Sequence, residues 1–177
     1  VINRFLEAPP EGTPNEIINA FNRLGGHSFL PPKLFLETVE QAPMAISITD
    51  PNARILYANQ AFEQLTGYAK DEVIGAEQSM FSSNSTPPSV YQDLWHTIKS
   101  RKVWRGTLVN HRKGGQEYLA ELSISPVLNP GGQIAYFLGM QRDITEMHAL
   151  QQRLAFQKSL TEAALDAAPM VVAMIAN

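Results

Sequence analysis

The sequence predicts an α+β domain: one five-stranded antiparallel sheet with its helices on one face, flanked by an N-terminal amphipathic helix and a C-terminal helix. Three observations predict it. AISITD and ILYAN read as two short strands around the turn residues Pro51, Asn52 and Ala53, and a run of short helices follows them. GTLVNHR, EYLAELSISPVL and IAYFLGMQRD then read as longer strands, joined by the tight turns Lys113-Gly114-Gly115 and Pro130-Gly131-Gly132 that make antiparallel hairpins. Finally, IAYFLGMQRDIT passes with no Gly or Pro into EMHALQQRLAFQKSLTEAAL, so a strand is welded to a helix.

In chain order, Thr13, Pro14, Asn15 and Glu16 form a capping-box start with Pro at the first helical position. Ile17, Ile18, Phe21 and Leu24 make one apolar stripe before Gly25 and Gly26 stop the helix. So short a helix is marginal alone and must dock on something or fray. A second short helix, about Lys33 to Gln41, carries Leu34, Phe35 and Val39. After the first two strands come the helical segments QAFEQLTGY and KDEVIG, then a longer helix, about Ser89 to Ser100, behind the turn-rich SSNSTPP. Tyr136, Leu138 and Met140 alternate as in a half-buried strand, whereas Met147, Leu150 and Leu154 recur at helical spacing among Glu, Gln and Arg. That last helix cannot bury its stripe alone and calls for a partner chain, although the seam weakens at Gln157 and Thr161. LTEAALDAAPMVVAMIAN echoes LFLETVEQAPMAISITD, so a second copy of the domain is expected to begin near Leu160 as helix, Ala-Pro and apolar strand. Four regions result: an extension over 1–32, the domain over 33–146, a linker helix over 147–166, and the start of a second copy over 167–177. The run VVAMIAN stops in mid-pattern, so the output machinery is expected elsewhere.

With 177 residues, 44% of them hydrophobic, the chain can bury one proper core. A net charge of −3 with scattered Lys and Arg gives no basic footprint, so direct nucleic-acid binding is not expected. The absence of cysteine excludes disulfides, thiolate metal sites and any flavin–cysteine bond. No apolar run approaches the roughly 18 residues of a membrane span and no signal sequence is visible, which points to the cytoplasm and to no membrane contact. His27, His96, His111 and His148 are dispersed, with no metal-ligand spacing. Nothing resembles a nucleophile elbow or a P-loop, and Asp71 and Glu72 read as first-turn helix charges, so no enzymatic activity is expected.

The runs AISITD, ILYANQAFEQLTGY, DEVIG, RKGGQEYLAELSISPV and YFLGMQRDIT resemble the PAS family, over about Phe35 to Glu146. The resemblance puts Asn59 where the second strand meets the helices, Gly67 at a helix end, and Asp143-Ile144-Thr145 at the exit to a signalling helix. Within that family, TVEQAPMAISITD, YANQAF, TPPSVYQDLW, LVNHRKGG, YLAEL and SPVLNPGGQI are similar to the N-terminal domain of the NifL family, redox-sensing antiactivators of nitrogen-fixation genes that hold FAD. FAD is therefore the implied cofactor. The implied function is a redox and oxygen sensor that restrains a transcriptional activator and dimerises through its flanking helices.

The resemblance also nominates the site. Asn110 matches the Asn that flavin-binding PAS domains place against the ring, and Gln141 matches a Gln placed near flavin N5, where an amide flip on reduction would alter hydrogen bonding at the root of the exit helix. Gln78 occupies the position of the reactive cysteine of light-oxygen-voltage domains; the NifL family has an acid there, and here the acid is one place earlier, at Glu77. Either Glu77 turns inward or Gln78 acts as a neutral hydrogen-bond switch. Ser47 matches a position close to this group, and Trp95 is placed to cover the ring or the adenine. Each also has a plain reading: a sheet-edge polar group, a solvent-facing amide, a small strand residue or a core aromatic. A flavin-free docking module, or a haem or small-metabolite sensor of a histidine kinase with His96 as the residue to check, are the competing functions.

Overall fold

A computed structural model describes residues 32–175. The helix expected over Thr13 to Leu24 lies outside them. The elements in order are α1 (Pro32–Glu40), β1 (Ala45–Thr49), β2 (Ile55–Ala58), α2 (Gln60–Thr66), α3 (Lys70–Val73), a 3-10 turn (Gln78–Phe81), α4 (Pro88–Lys99), β3 (Trp104–His111), β4 (Glu117–Leu128), β5 (Ile134–Asp143) and α5 (Thr145–Ile175). The strands form one antiparallel sheet in the order β2-β1-β5-β4-β3. Placing β5 in the middle joins the two early strands to the two late ones.

Alternation sorts the sheet into two faces. Ala45, Ser47 and Thr49 of β1, Phe137, Gly139 and Gln141 of β5, Tyr118, Ala120, Leu122 and Ile124 of β4, and Trp104, Leu108 and Asn110 of β3 share the face that meets the helices. Its core has two halves. Ala45, Ile55, Ala58, Phe62, Val73 and Phe81 form one, in which Phe81 meets Phe62 and Tyr68 edge to face at 5.3 and 5.5 Å. Leu94, Ile98, Trp104, Leu108 and Phe137 form the other, and Trp104 Nε1 donates to Asp93 Oδ2 at 2.8 Å, pinning α4 to β3. Pro126 sits in β4 without breaking the ladder because β3 has already ended opposite Ile124.

Local chemistry sets the junctions. Asn59 caps α2 by accepting from Phe62 N, and Gly67 ends it in the left-handed conformation at φ 76°, donating to Glu63 O. Tyr57 donates to Glu40 Oε2 at 2.8 Å, holding α1 against β2, while burial first and the neighbouring Glu40 second push its phenol far up.

Two local expectations change. Alternation marks Tyr136, Leu138 and Met140 as one side of β5, yet Phe137, Gly139 and Gln141 face the helices, because the register against β1 and β4 sets the inner face. Val171–Ile175, which pattern reads as a strand, continues α5 as helix through Pro169. A strand must find neighbours for its backbone N–H and C=O groups, and a short apolar stretch without them satisfies those groups internally as helix.

Candidate functional site

A cavity of about 240 Å³ lies between the inner sheet face and α4. Leu108, Leu122, Ile124 and Phe137 form its sheet wall, and Leu94, Trp95 and Ile98 its helix wall. Gly139 opens the floor: a Cβ there would approach Ser47 Oγ to 3.0 Å and crowd it. The rim is polar. Asp50 Oδ1 accepts from Asn52 N and Arg54 N, both at 2.8 Å, and this fixes the turn that presents Asn52 and Ala53 to the opening. The far edge is closed by the segment after the 3-10 turn, where Ser82 bridges Asn110 and Thr86 Oγ1 accepts from Val109 N at 2.8 Å, covering the free edge of β3.

The structure brings together most of the residues singled out from the sequence. Ser47, Gln78, Trp95 and Asn110 line the cavity, and Ser47 and Asn110 are buried. Gln78 Oε1 is shut off from water and has no hydrogen-bond partner. Glu77 reaches only the rim; it is exposed and faces Arg54 at 3.5 Å. Of the two alternatives, then, Gln78 is the side chain directed inward. Gln141, on the same sheet face, is buried but does not line the cavity; its Oε1 lies 3.5 Å from Asn110 Nδ2. His96 is exposed on α4. Among the described residues no group of three His, Cys, Asp or Glu is arranged to hold a metal, and no helix is long and apolar enough to cross a membrane.

Two features escape a sequence reading. Tyr91 on α4 lines the cavity, and its hydroxyl is buried and unpartnered, although helical spacing makes it look like plain core. Tyr118 lies opposite Asn110 in the hairpin and its hydroxyl comes 3.4 Å from Gln141 Oε1. The tight turn after Arg112 sets that register, so the pairing was legible in principle; the contact was not. Burial pushes the Tyr118 phenol up, with the Asn110 amide and the Arg112 charge pulling the other way.

Buried polar atoms are ordinarily satisfied, and leaving one unmade costs about 1–3 kcal/mol. An apolar slot with an unpartnered amide oxygen, an unpartnered phenol and a weakly bonded Asn110 therefore fits a flat ligand with polar edges. A flavin ring meets that description: it needs apolar walls and edge contacts that can exchange donor for acceptor, which amides provide. At about 240 Å³ the space suits a ring headgroup more than a whole dinucleotide, since pockets for drug-sized ligands start near 300 Å³.

Comparison with known proteins agrees with this architecture. The chain is 43% identical over 144 residues to a nitrogen fixation regulatory protein of Klebsiella oxytoca, covering 81% of this chain and 29% of that protein. It is 33% identical over 133 residues to blue-light-activated histidine kinase 1 of Erythrobacter litoralis, covering 73% of this chain and 37% of the other. Among solved structures, an RNA-binding light-oxygen-voltage receptor superimposes with a TM-score of 0.68 at 28% identity, covering 88% of this chain and 43% of that one. The chain thus spans less than a third of the length of the Klebsiella regulator. The PAS domain profile matches residues 43–146, from just before β1 to the start of α5, and on that match together with the sheet order this chain belongs to the PAS domain family.

Proposed function

We propose that this chain is the FAD-binding redox and oxygen sensor domain of a NifL-type regulator of nitrogen-fixation genes. The observation that carries the reading is the apolar slot lined by residues whose polar contacts are incomplete: Gln78 Oε1 and the Tyr91 hydroxyl without partners, beside Asn110, whose Nδ2 reaches Gln141 Oε1 only at 3.5 Å. Bound there, a flavin would supply reversible electron exchange with oxygen or another oxidant, coupled to a proton at N5. Asn110 and Gln78 would hold the ring edges, because an amide meets either an acceptor or a donor by rotation. Ser47, beside Gly139, would add a hydroxyl at the floor, and Trp95 would cover the ring near the mouth, with Lys99 Nζ 5.3 Å above its own ring. The adenosine half of FAD would run out along the rim by Asn52 and Ser79. Glu77, engaged with Arg54, leaves neutral Gln78 as the group facing the ligand.

The output would leave through β5 into α5, where Met147, Leu150, Leu154, Phe156 and Leu160 are exposed and invite a second helix. Homodimerisation through the flanking helices, restraint of a transcriptional activator and a cytoplasmic location complete this reading. The domain would occupy 33–146, the signalling helix 147–166, and the start of a second copy 167–177. Absorption of the fresh protein tests it. Bands near about 370 and about 450 nm that bleach with dithionite and return in air support it, and FAD released on denaturation fixes the nucleotide. A colourless protein that does not take up added FAD overturns it in favour of a docking module.

A further inference from the structure

Beyond the cavity, on the same sheet face, side chains run in contact from Asn110 to the last residue of β5. Asn110 Nδ2 and the Tyr118 hydroxyl converge on Gln141 Oε1 at 3.5 and 3.4 Å, both long for hydrogen bonds. The Arg112 guanidinium stacks 4.8 Å from the centre of the Tyr118 ring. Arg112 also donates to Leu65 O near the end of α2 and pairs with Asp143 Oδ2 at 2.6 Å. Only Ile144 separates Asp143 from the start of α5.

The Gln141 amide is the element with two settings, because a half-turn exchanges acceptor for donor at almost no change in shape. Tyr118, kept protonated by burial, donates to Gln141 in one setting; in the other its hydrogen meets an amide NH₂ and must turn away. Its ring cannot shift without shifting the planar, permanently charged group stacked on it. We propose that Tyr118 and Arg112 are positioning residues that transmit the orientation of the Gln141 amide to Asp143 and so to the first turn of α5. The link rests on the sensor reading only for what turns the amide.

The test is amide hydrogen exchange on the 177-residue chain as purified, read at His148, whose N–H donates to Ile144 O at 2.8 Å in the first turn of α5. Arg112→Gln is expected to speed that exchange by about fivefold or more, and Tyr118→Phe and Gln141→Leu by roughly two- to fivefold each. The Tyr118→Phe/Gln141→Leu double variant is expected to match the larger of those two single ones, since both remove the Tyr118–Gln141 contact. Arg142→Gln, which breaks a 2.5 Å pair with Glu121 on the other face of the sheet, is expected to stay within about twofold. Multiplying effects in the double variant, no response to Arg112→Gln, or an equal response to Arg142→Gln each overturn the proposal. None of these comparisons needs a redox step, so they stand or fall separately from the flavin reading. In flavin-loaded protein, Tyr118→Phe should also at least halve the ratio of His148 exchange between oxidised and reduced states; an unchanged ratio likewise overturns the link.

Discussion

Asn59 and Asn110 are both buried amides, one in each half of the core, and they differ in how fully they are bonded. Asn59 Oδ1 accepts from Ile46 N and Phe62 N at 2.8 and 3.1 Å, and its Nδ2 donates to Val39 O and Met44 O at 3.0 and 2.9 Å. Around it Phe62, Phe81 and Val73 pack without exposure. Asn110 lines a cavity and its Nδ2 has a 3.5 Å contact to Gln141. A full set of bonds marks a side chain that holds the chain together; a long contact at a cavity wall leaves capacity for a further partner, which the proposed flavin would supply.

Asn59→Ala should produce the largest effect. It removes four side-chain hydrogen bonds at the junction of α1, β1 and α2 and leaves Ile46 N without its partner, while Phe62 N and Val39 O keep their backbone bonds to Asn59 O and Ala42 N, so urea unfolding should show a loss of about 2 kcal/mol or more. Asn110→Leu should break the comparison the other way: stability stays within about 1 kcal/mol while FAD affinity, measured by fluorescence titration, falls about tenfold or more. A large stability loss in Asn110→Leu would mean that the two amides are alike. Gln78→Leu should be smaller still, neutral or slightly stabilising in the stripped protein because it removes an unpartnered oxygen, with a roughly threefold loss of flavin affinity. The smallest effect concerns the strap beside the cavity. Ser83 and then Ser85 donate to Glu117 and hold its carboxyl below the ordinary range, so the tether is fully present above the unfolded carboxyl's pKa and is lost as pH falls through the lower folded value. Amide exchange over 83–86 should accelerate on acidification in wild type and be pH-flat, once corrected for intrinsic rates, in Glu117→Gln.

These expectations show how unevenly the molecule is written in its sequence. The strands of the sheet, the helix from Pro88 and both hairpin turns were legible because period-two alternation, Pro at a helix start and paired glycines act within a few residues. Asn59 was legible as a junction residue through the family pattern, and its capping of α2 is local chemistry. Whether Glu77 or Gln78 turns inward was not: the answer depends on Arg54, 23 positions away in sequence, which draws Glu77 to the rim. Nor was the place of Gln141, on the same sheet face as Asn110 but off the cavity lining, which follows from β5 lying between β1 and β4.

The sequence by itself determined the order of strands and helices through β5, the turn chemistry and the lack of any thiol chemistry, because each follows from short-range geometry or from composition; the inner face of β5 it did not determine, since apolar alternation marks Tyr136, Leu138 and Met140 whereas Phe137 and Gln141 are the buried residues. Only the tertiary structure decided which buried polar atoms go without partners, that Tyr91 and Gln78, which carry two of them, come together at one cavity, and that Tyr118 and Arg112 join Gln141 to Asp143. Satisfaction of a buried polar group is settled by what the rest of the chain brings within about 3 Å of it, and no local pattern carries that information.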